Sequence, residues 1–128
     1  MSVPKEYRYT KDHEWVLITG TTAKVGITEF AQSELGELVF VDLPPSGKKV
    51  APGGVLCVVE STKAASDVYA PIAGTVSEVN ADLSSNPTLI NQAPYTSGWI
   101  AVIEGVDPNS LSGLMSAEDY QALLDSKK

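Results

Sequence analysis

Ten glycines and eight prolines punctuate this 128-residue chain at fairly regular intervals, and the segments between them are short and rich in β-branched residues. That pattern leaves little room for long helices and favours strands joined by turns. Strands are expected at Trp15–Thr19, Thr22–Gly26, Leu38–Asp42, Val55–Ser61, Asp67–Tyr69, Gly74–Val79 and Trp99–Glu104. The first two form a hairpin around Thr19-Gly20-Thr21, and Ala23, Val25 and Ile27 alternate with Lys24 and Gly26 as a half-buried strand requires. Two helices interrupt the β pattern. One is short, capped by Thr28 and closed by Gly36, with Phe30, Ala31 and Leu35 facing inward. The other, at about 116–126, begins with the capping box Ser116-Ala117-Glu118-Asp119. Met115 and Tyr120 take its staple positions, and Lys127 and Lys128 complement its negative end.

A faint repeat divides the middle of the chain. Gly36-Glu37-Leu38-Val39-Phe40-Val41 and Gly74-Thr75-Val76-Ser77-Glu78-Val79 share Gly-x-(Leu/Val)-x-x-Val, and Val55–Glu60 echoes Trp99–Glu104. Each half supplies two strands, which predicts two similar sheets facing each other with residues 61–73 exposed at one end. The fold class is therefore mostly β: a flattened barrel or sandwich of two antiparallel sheets, with one short internal helix and a C-terminal helix. Length predicts a single domain over residues 1–128.

Sixteen Asp and Glu against nine Lys and Arg give a net charge of −7, which disfavours nucleic acid and anionic membranes as partners. No apolar run approaches the roughly 20 residues of a membrane helix, and the segment from Met1 to Glu6 carries no leader signature. A bacterial cytoplasmic protein is expected, or a mitochondrial matrix protein if this is a mature organellar form. Cys57 is the only cysteine and His13 the only histidine. No nucleophilic triad or metal set can be assembled, so neither catalytic nor metal residues are predicted. Cys57 reads as a small buried core residue, His13 as structural or partner-contacting, and Trp15, Trp99 and Phe40 as core.

One charge stands apart. Between Val50 and Ser126 there are nine acidic residues and a single basic one, Lys63. It sits at the joint between the two halves, followed by Ala64-Ala65-Ser66. Small neighbours leave its amine accessible, and an exposed lysine amine can take up a carboxylic cofactor as an amide; an ordinary solvated charge is the other reading.

The run Glu60-Ser61-Thr62-Lys63-Ala64-Ala65-Ser66-Asp67-Val68-Tyr69-Ala70-Pro71-Ile72-Ala73-Gly74 resembles the lipoyl-attachment motif of the H-protein family of the glycine cleavage system. The resemblance extends through Tyr9-Thr10-Lys11-Asp12-His13-Glu14-Trp15-Val16, Val25-Gly26-Ile27-Thr28, Val39-Phe40-Val41-Asp42-Leu43-Pro44, Leu89-Ile90-Asn91 and Leu114-Met115-Ser116-Ala117-Glu118-Asp119-Tyr120. It implies a lipoyl hairpin at about 55–79 and lipoate attached to Lys63. It also implies a carrier, with no catalysis of its own, that takes an aminomethyl group from a pyridoxal-phosphate glycine decarboxylase to a tetrahydrofolate-dependent aminomethyltransferase. Dihydrolipoyl dehydrogenase reoxidises the arm, and a lipoate ligase or lipoyl transferase attaches it. By resemblance, Glu14 and Asp67 line a cleft that shelters the loaded arm and pair with its cationic amine, a solvated carboxylate being the alternative for each. Asp12 occupies a position that is often a small hydroxyl residue in the family. A monomer with transient, salt-sensitive partner contacts is expected.

Three other readings compete. A biotin carrier usually has Met on both sides of its lysine, whereas Thr62 and Ala64 flank this one. Lipoyl domains of 2-oxoacid dehydrogenases are shorter and tethered by Ala/Pro-rich linkers. A protein that relays lipoyl groups to other complexes would use the same lysine.

Overall fold

The computed structural model describes residues 3–107, 109 and 113–126. Two antiparallel sheets make up its frame. The larger runs in the order β1 (Arg8–Tyr9), β2 (Glu14–Thr19), β3 (Thr22–Ile27), β9 (Ala101–Glu104), β8 (Gly74–Val79), β5 (Lys49–Val50). The smaller has the order β4 (Leu38–Asp42), β6 (Val55–Ser61), β7 (Ala65–Tyr69). Among the described residues, helices α1 (Glu29–Leu35), α2 (Asp82–Ser85) and α3 (Leu89–Gln92) lie in the connections between strands, and α4 (Ala117–Ser126) follows β9. Neither sheet closes on itself, so the expected flattened barrel or sandwich is an open sandwich.

Val16, Val25, Ile100 and Ile103 from the larger sheet's side pack with Leu38, Val41, Leu56, Val59 and Val68 of the smaller. All are essentially removed from water, at roughly 1.5–3 kcal/mol each of apolar burial. A second cluster is aromatic: Tyr7, Tyr9 and Trp15 meet Tyr120 and Leu124 of α4. Tyr9 and Tyr120 stack with centroids 4.6 Å apart, and Tyr9 exchanges backbone hydrogen bonds with Met115 at 2.9 and 2.8 Å. The ends of the described chain are thereby locked together.

The expected helix caps form. Thr28 Oγ1 accepts from the Ala31 amide, Gly36 closes α1 at φ +83°, and Ser116 Oγ accepts from the Asp119 amide. Lys127 and Lys128, placed by the sequence at the end of α4, lie outside the described residues.

The repeat is real in topology and broken in register. β4 pairs with β6 and β8 with β9, and each pair carries a bulge at the same repeat position, Val39 in one and Ser77 in the other. Leu38 faces Ser61 but its counterpart Val76 faces Ile103, a shift of two residues relative to the repeat.

Two expectations fail. Phe40 is half exposed rather than core, because the bulge at Val39 turns it outward. The segment 61–73 is exposed in its first half, from Thr62 to Ala65 and at Asp67, whereas Val68 of β7 and Ala70 and Ile72 beyond it return to the core. β9 also starts at Ala101; Trp99 precedes it, half-buried beneath the Lys24 ammonium, which lies 5.3 Å from its ring.

Candidate functional site

The β6–β7 hairpin ends in a three-residue tip, Thr62-Lys63-Ala64. Ser61 builds it: its amide donates to Ala64 O at 2.8 Å, and its Oγ accepts from the amides of Lys63 and Ala64, both at 3.1 Å. A hydroxyl satisfying two backbone donors holds a tight turn without filling the space around the next side chain. Lys63 is exposed. Its Nζ donates to the carbonyl of Glu34 at 3.2 Å, a solvent-exposed contact that costs little to break.

The platform under the lysine is the C-terminal end of α1. A Cβ at Gly36 would lie 3.1 Å from Lys63 Cε. Asn91 braces this point, accepting from the Leu38 amide at 2.9 Å and donating to Gln32 Oε1 at 2.9 Å and Gly36 O at 2.8 Å.

Next to the hairpin lies a cleft of about 170 Å³. Phe30, Ala31, Glu34 and Leu35 of α1 form one part of its lining, Val59, Ser66, Asp67 and Val68 of the hairpin another. Asp12, His13 and Glu14 come from the turn entering β2. Glu14 and Asp67 thus share one cleft, and Asp12 joins them. Glu34, which the sequence reading did not single out, is there because helical spacing puts it on the same face as Phe30 and Ala31. Four acidic residues and no Lys or Arg line this space, an environment suited to a cation.

The two predicted acids differ in kind. Asp67 is exposed. Glu14 is only 3% exposed, which rules out a solvated carboxylate. Thr10 Oγ1 donates to its Oε1 at 2.5 Å and accepts from its amide at 3.1 Å, and the Tyr69 amide donates to Oε2 at 3.4 Å. Burial pushes the Glu14 carboxyl up to about 7; the Thr10 and Tyr69 donors pull it back and the nearby Asp12 charge adds to the rise. A cation placed in the cleft would favour the ionised form, so its binding would expel a proton from Glu14 and would weaken as pH falls below 7. Thr10→Val removes the shorter donor. The Glu14 titration midpoint should then rise by about one unit or more, a hydrogen bond to a charged group being worth roughly 1.5–3 kcal/mol. Carboxyl NMR titration reads this directly, and an unchanged midpoint would contradict the assigned role of Thr10.

His13 is the one non-glycine residue with positive φ, 72°, among the described residues. That conformation costs a residue with a Cβ roughly 1–2 kcal/mol, and the surroundings fix it. The ring packs on Phe30 with centroids 4.6 Å apart, and Nδ1 is 2.8 Å from Tyr120 Oη. Tyr120 Oη also bonds Thr28 Oγ1 at 2.7 Å, linking α4 to the cap of α1. His13 is therefore a structural wall of the cleft. Cys57 is buried, and burial pushes its thiol up to about 12, which suits a core residue.

The glycine cleavage H-protein family model matches residues 7–127. The chain is 49% identical over 127 residues to the glycine cleavage system H protein of Thermus thermophilus, covering 99% of both chains. It is 46% identical over 125 residues to that of Geobacillus thermodenitrificans, covering 98% of both. The crystal structure of a glycine cleavage system H protein from Mycobacterium marinum superposes with a TM-score of 0.83 at 38% identity, over 94% of this chain and 97% of that one. The chain belongs to the glycine cleavage H-protein family.

Proposed function

We propose that residues 1–128 form one lipoyl-carrier unit in which Lys63 holds lipoate as an amide. The observation that carries this reading is an exposed lysine on a tightly hydrogen-bonded three-residue tip beside a cleft lined by four acidic residues and no Lys or Arg. Lys63 would be loaded by an ATP-dependent lipoate ligase or by a lipoyl transferase. In the ligase case the neutral amine attacks the acyl carbon of an enzyme-held lipoyl adenylate. A C–N bond forms, the bond to the AMP oxygen breaks, AMP leaves with the electron pair, and the proton from Nζ passes to solvent. Once attached, lipoate would supply a dithiolane able to carry an aminomethyl group and to cycle between disulfide and dithiol, and Lys63 would hold it.

This chain contributes position and shelter. Ser61 keeps the tip rigid, and Gly36, braced by Asn91, leaves the lysine stem room to lie along α1. Glu14 and Asp67, with Asp12 and Glu34 around them, face the space where a protonated amine gains most from negative charge. A cavity of roughly 150 Å³ takes a benzene-sized group, so about 170 Å³ suits the head of the arm and leaves its stem outside. The partners are glycine decarboxylase, aminomethyltransferase and dihydrolipoyl dehydrogenase, met in turn by a monomeric carrier. The chemistry belongs to them and to the cofactor. Among the described residues no helix is long and apolar enough to cross a membrane, and the bacterial relatives fit a cytoplasmic setting.

The test is intact mass after incubation with lipoate ligase, ATP and lipoate. One lipoyl group should be gained by the wild-type chain and none by Lys63→Arg, which keeps the charge and removes the acylable amine. Failure of the wild type to gain mass would overturn the reading.

A further inference from the structure

The outer face of the small sheet carries the remaining unexplained surface. Among the described residues, the exposed large hydrophobics are Val39 at 53%, Phe40 at 50% and Val55 at 41%. Two of them are consecutive. A regular strand alternates its faces, so adjacent residues cannot both point out; here the bulge between Leu38 and Phe40 makes it possible. The register then fixes where they lie. Phe40 faces Glu60, and Glu60 faces Ala65, the row nearest the Thr62-Lys63-Ala64 tip that spans all three strands; only the Leu38–Ser61 pair, with Leu38 buried, lies between. The next outward row is Asp42, Val58 and Asp67. An apolar centre of Phe40, Val39 and half-buried Val58 is thus framed by exposed Asp42, Glu60 and Asp67.

We infer that Val39 and Phe40 form the docking anchor for the enzyme that makes the amide on Lys63, which presents an apolar pocket rimmed by Lys and Arg. This rests on Lys63 being the attachment site. Geometry separates the possible partners. An enzyme that acts at the far end of a long arm need not touch the base of the hairpin. An enzyme that joins an acyl carbon to Nζ must bring its own surface onto the tip, and the first outward-facing row below it is Phe40–Glu60–Ala65, since Leu38 of the intervening Leu38–Ser61 pair is buried. An aromatic anchor surrounded by charge is the usual layout of an interface hot spot, and the acidic frame requires a basic partner rim, which steers encounter.

The experiment compares wild type, Phe40→Ala, Val39→Ser and the control Val55→Ser, which alters the third exposed hydrophobic at the opposite end of β6. Attachment is followed by intact mass with lipoate ligase, ATP and lipoate, and thermal melts check folding. Each protein, fully loaded by prolonged incubation, is then assayed for glycine-dependent turnover with glycine decarboxylase. Phe40→Ala should lower attachment kcat/KM about tenfold or more, mainly through KM. Val39→Ser should lower it less, Val55→Ser should leave it unchanged, and all loaded proteins should turn over alike. Attachment at the wild-type rate in Phe40→Ala overturns the inference, as does an equal loss in Val55→Ser or an equal loss in turnover of the loaded variant. A dimer of the wild type that Phe40→Ala dissolves, with attachment unaffected, would assign the patch to a second copy of the chain instead. No mass gain in wild type would remove the lipoyl reading itself, separately from this one.

Discussion

Glu14→Gln stabilises the protein above pH 7 and leaves its stability nearly unchanged at pH 5. Burial raises the folded-state carboxyl from 4.5 to about 7, so between those values the folded chain holds a proton that the unfolded chain has already lost. Stability therefore falls as pH climbs through this window, and above pH 7 the full penalty of a buried carboxylate is present, about 3 kcal/mol. A neutral amide escapes that penalty. It keeps the Thr10 donation to an oxygen and gives up the long 3.4 Å bond from the Tyr69 amide, a loss of about 1 kcal/mol. The net gain is about 2 kcal/mol at pH 8. Urea denaturation at pH 5 and pH 8 measures it, and a difference between variant and wild type that does not change with pH would refute the account. The same substitution should shorten the lifetime of the aminomethyl-loaded carrier toward water, because the cleft loses its innermost negative charge. Stability and cargo protection then move in opposite directions, as they do where a site is held in an unfavourable state for function.

Gly74→Ala is the second large effect. Gly74 and Gly36 occupy the same position of the internal repeat, yet each is needed for a different reason. Gly36 has φ +83° and lies under the lysine stem. Gly74 lies under a neighbouring strand, where a Cβ would sit 2.4 Å from Ile103 Cγ2 and 2.5 Å from the Glu104 carbonyl oxygen. The second contact is backbone, held in the β8–β9 ladder opposite Thr75, so relief requires moving a strand. Overpacking of this kind costs about 3 kcal/mol. The midpoint of thermal unfolding should drop by roughly 10 °C, and a fall of less than a degree would show that the ladder yields easily.

Much of the frame is legible in the sequence. β4, β6 and β8 have the bounds that Gly, Pro and β-branched patterning assign, and both caps of α1 are written in Thr28 and Gly36. The parts that were not legible share a cause: they depend on contacts remote in sequence. β1 and β5 are two residues each, too short for any periodicity, and exist because β2 and β8 offer edges. α2 and α3 are single turns whose flanking residues, Ala81 and Thr88, give no side-chain cap. The bulge that exposes Phe40 leaves no mark in the pattern, since Leu38-Val39-Phe40-Val41 reads as a fully buried strand. Glu14 hides for the opposite reason. β2 begins with three consecutive buried residues, Glu14, Trp15 and Val16, so alternation gives no sign of which face the carboxyl takes. The resemblance led to Glu14 and Asp67, and the structure brings both to one cleft. Glu34, Thr10 and Tyr120 emerge only from the packing.

The bond from His13 to Tyr120 spans 107 residues and that from Thr28 to Tyr120 spans 92. On the ribosome, therefore, the hairpin that bears Lys63 is complete while Tyr120 is still inside the exit tunnel or not yet made. The lysine's turn relies on Ser61 and Ala64, its own neighbours, whereas the cleft wall waits for the last helix. Synthesis thus delivers the lysine turn before the cleft wall, and a chain truncated ahead of α4 keeps the residues of that turn while losing the tyrosine that holds His13 in its left-handed pose.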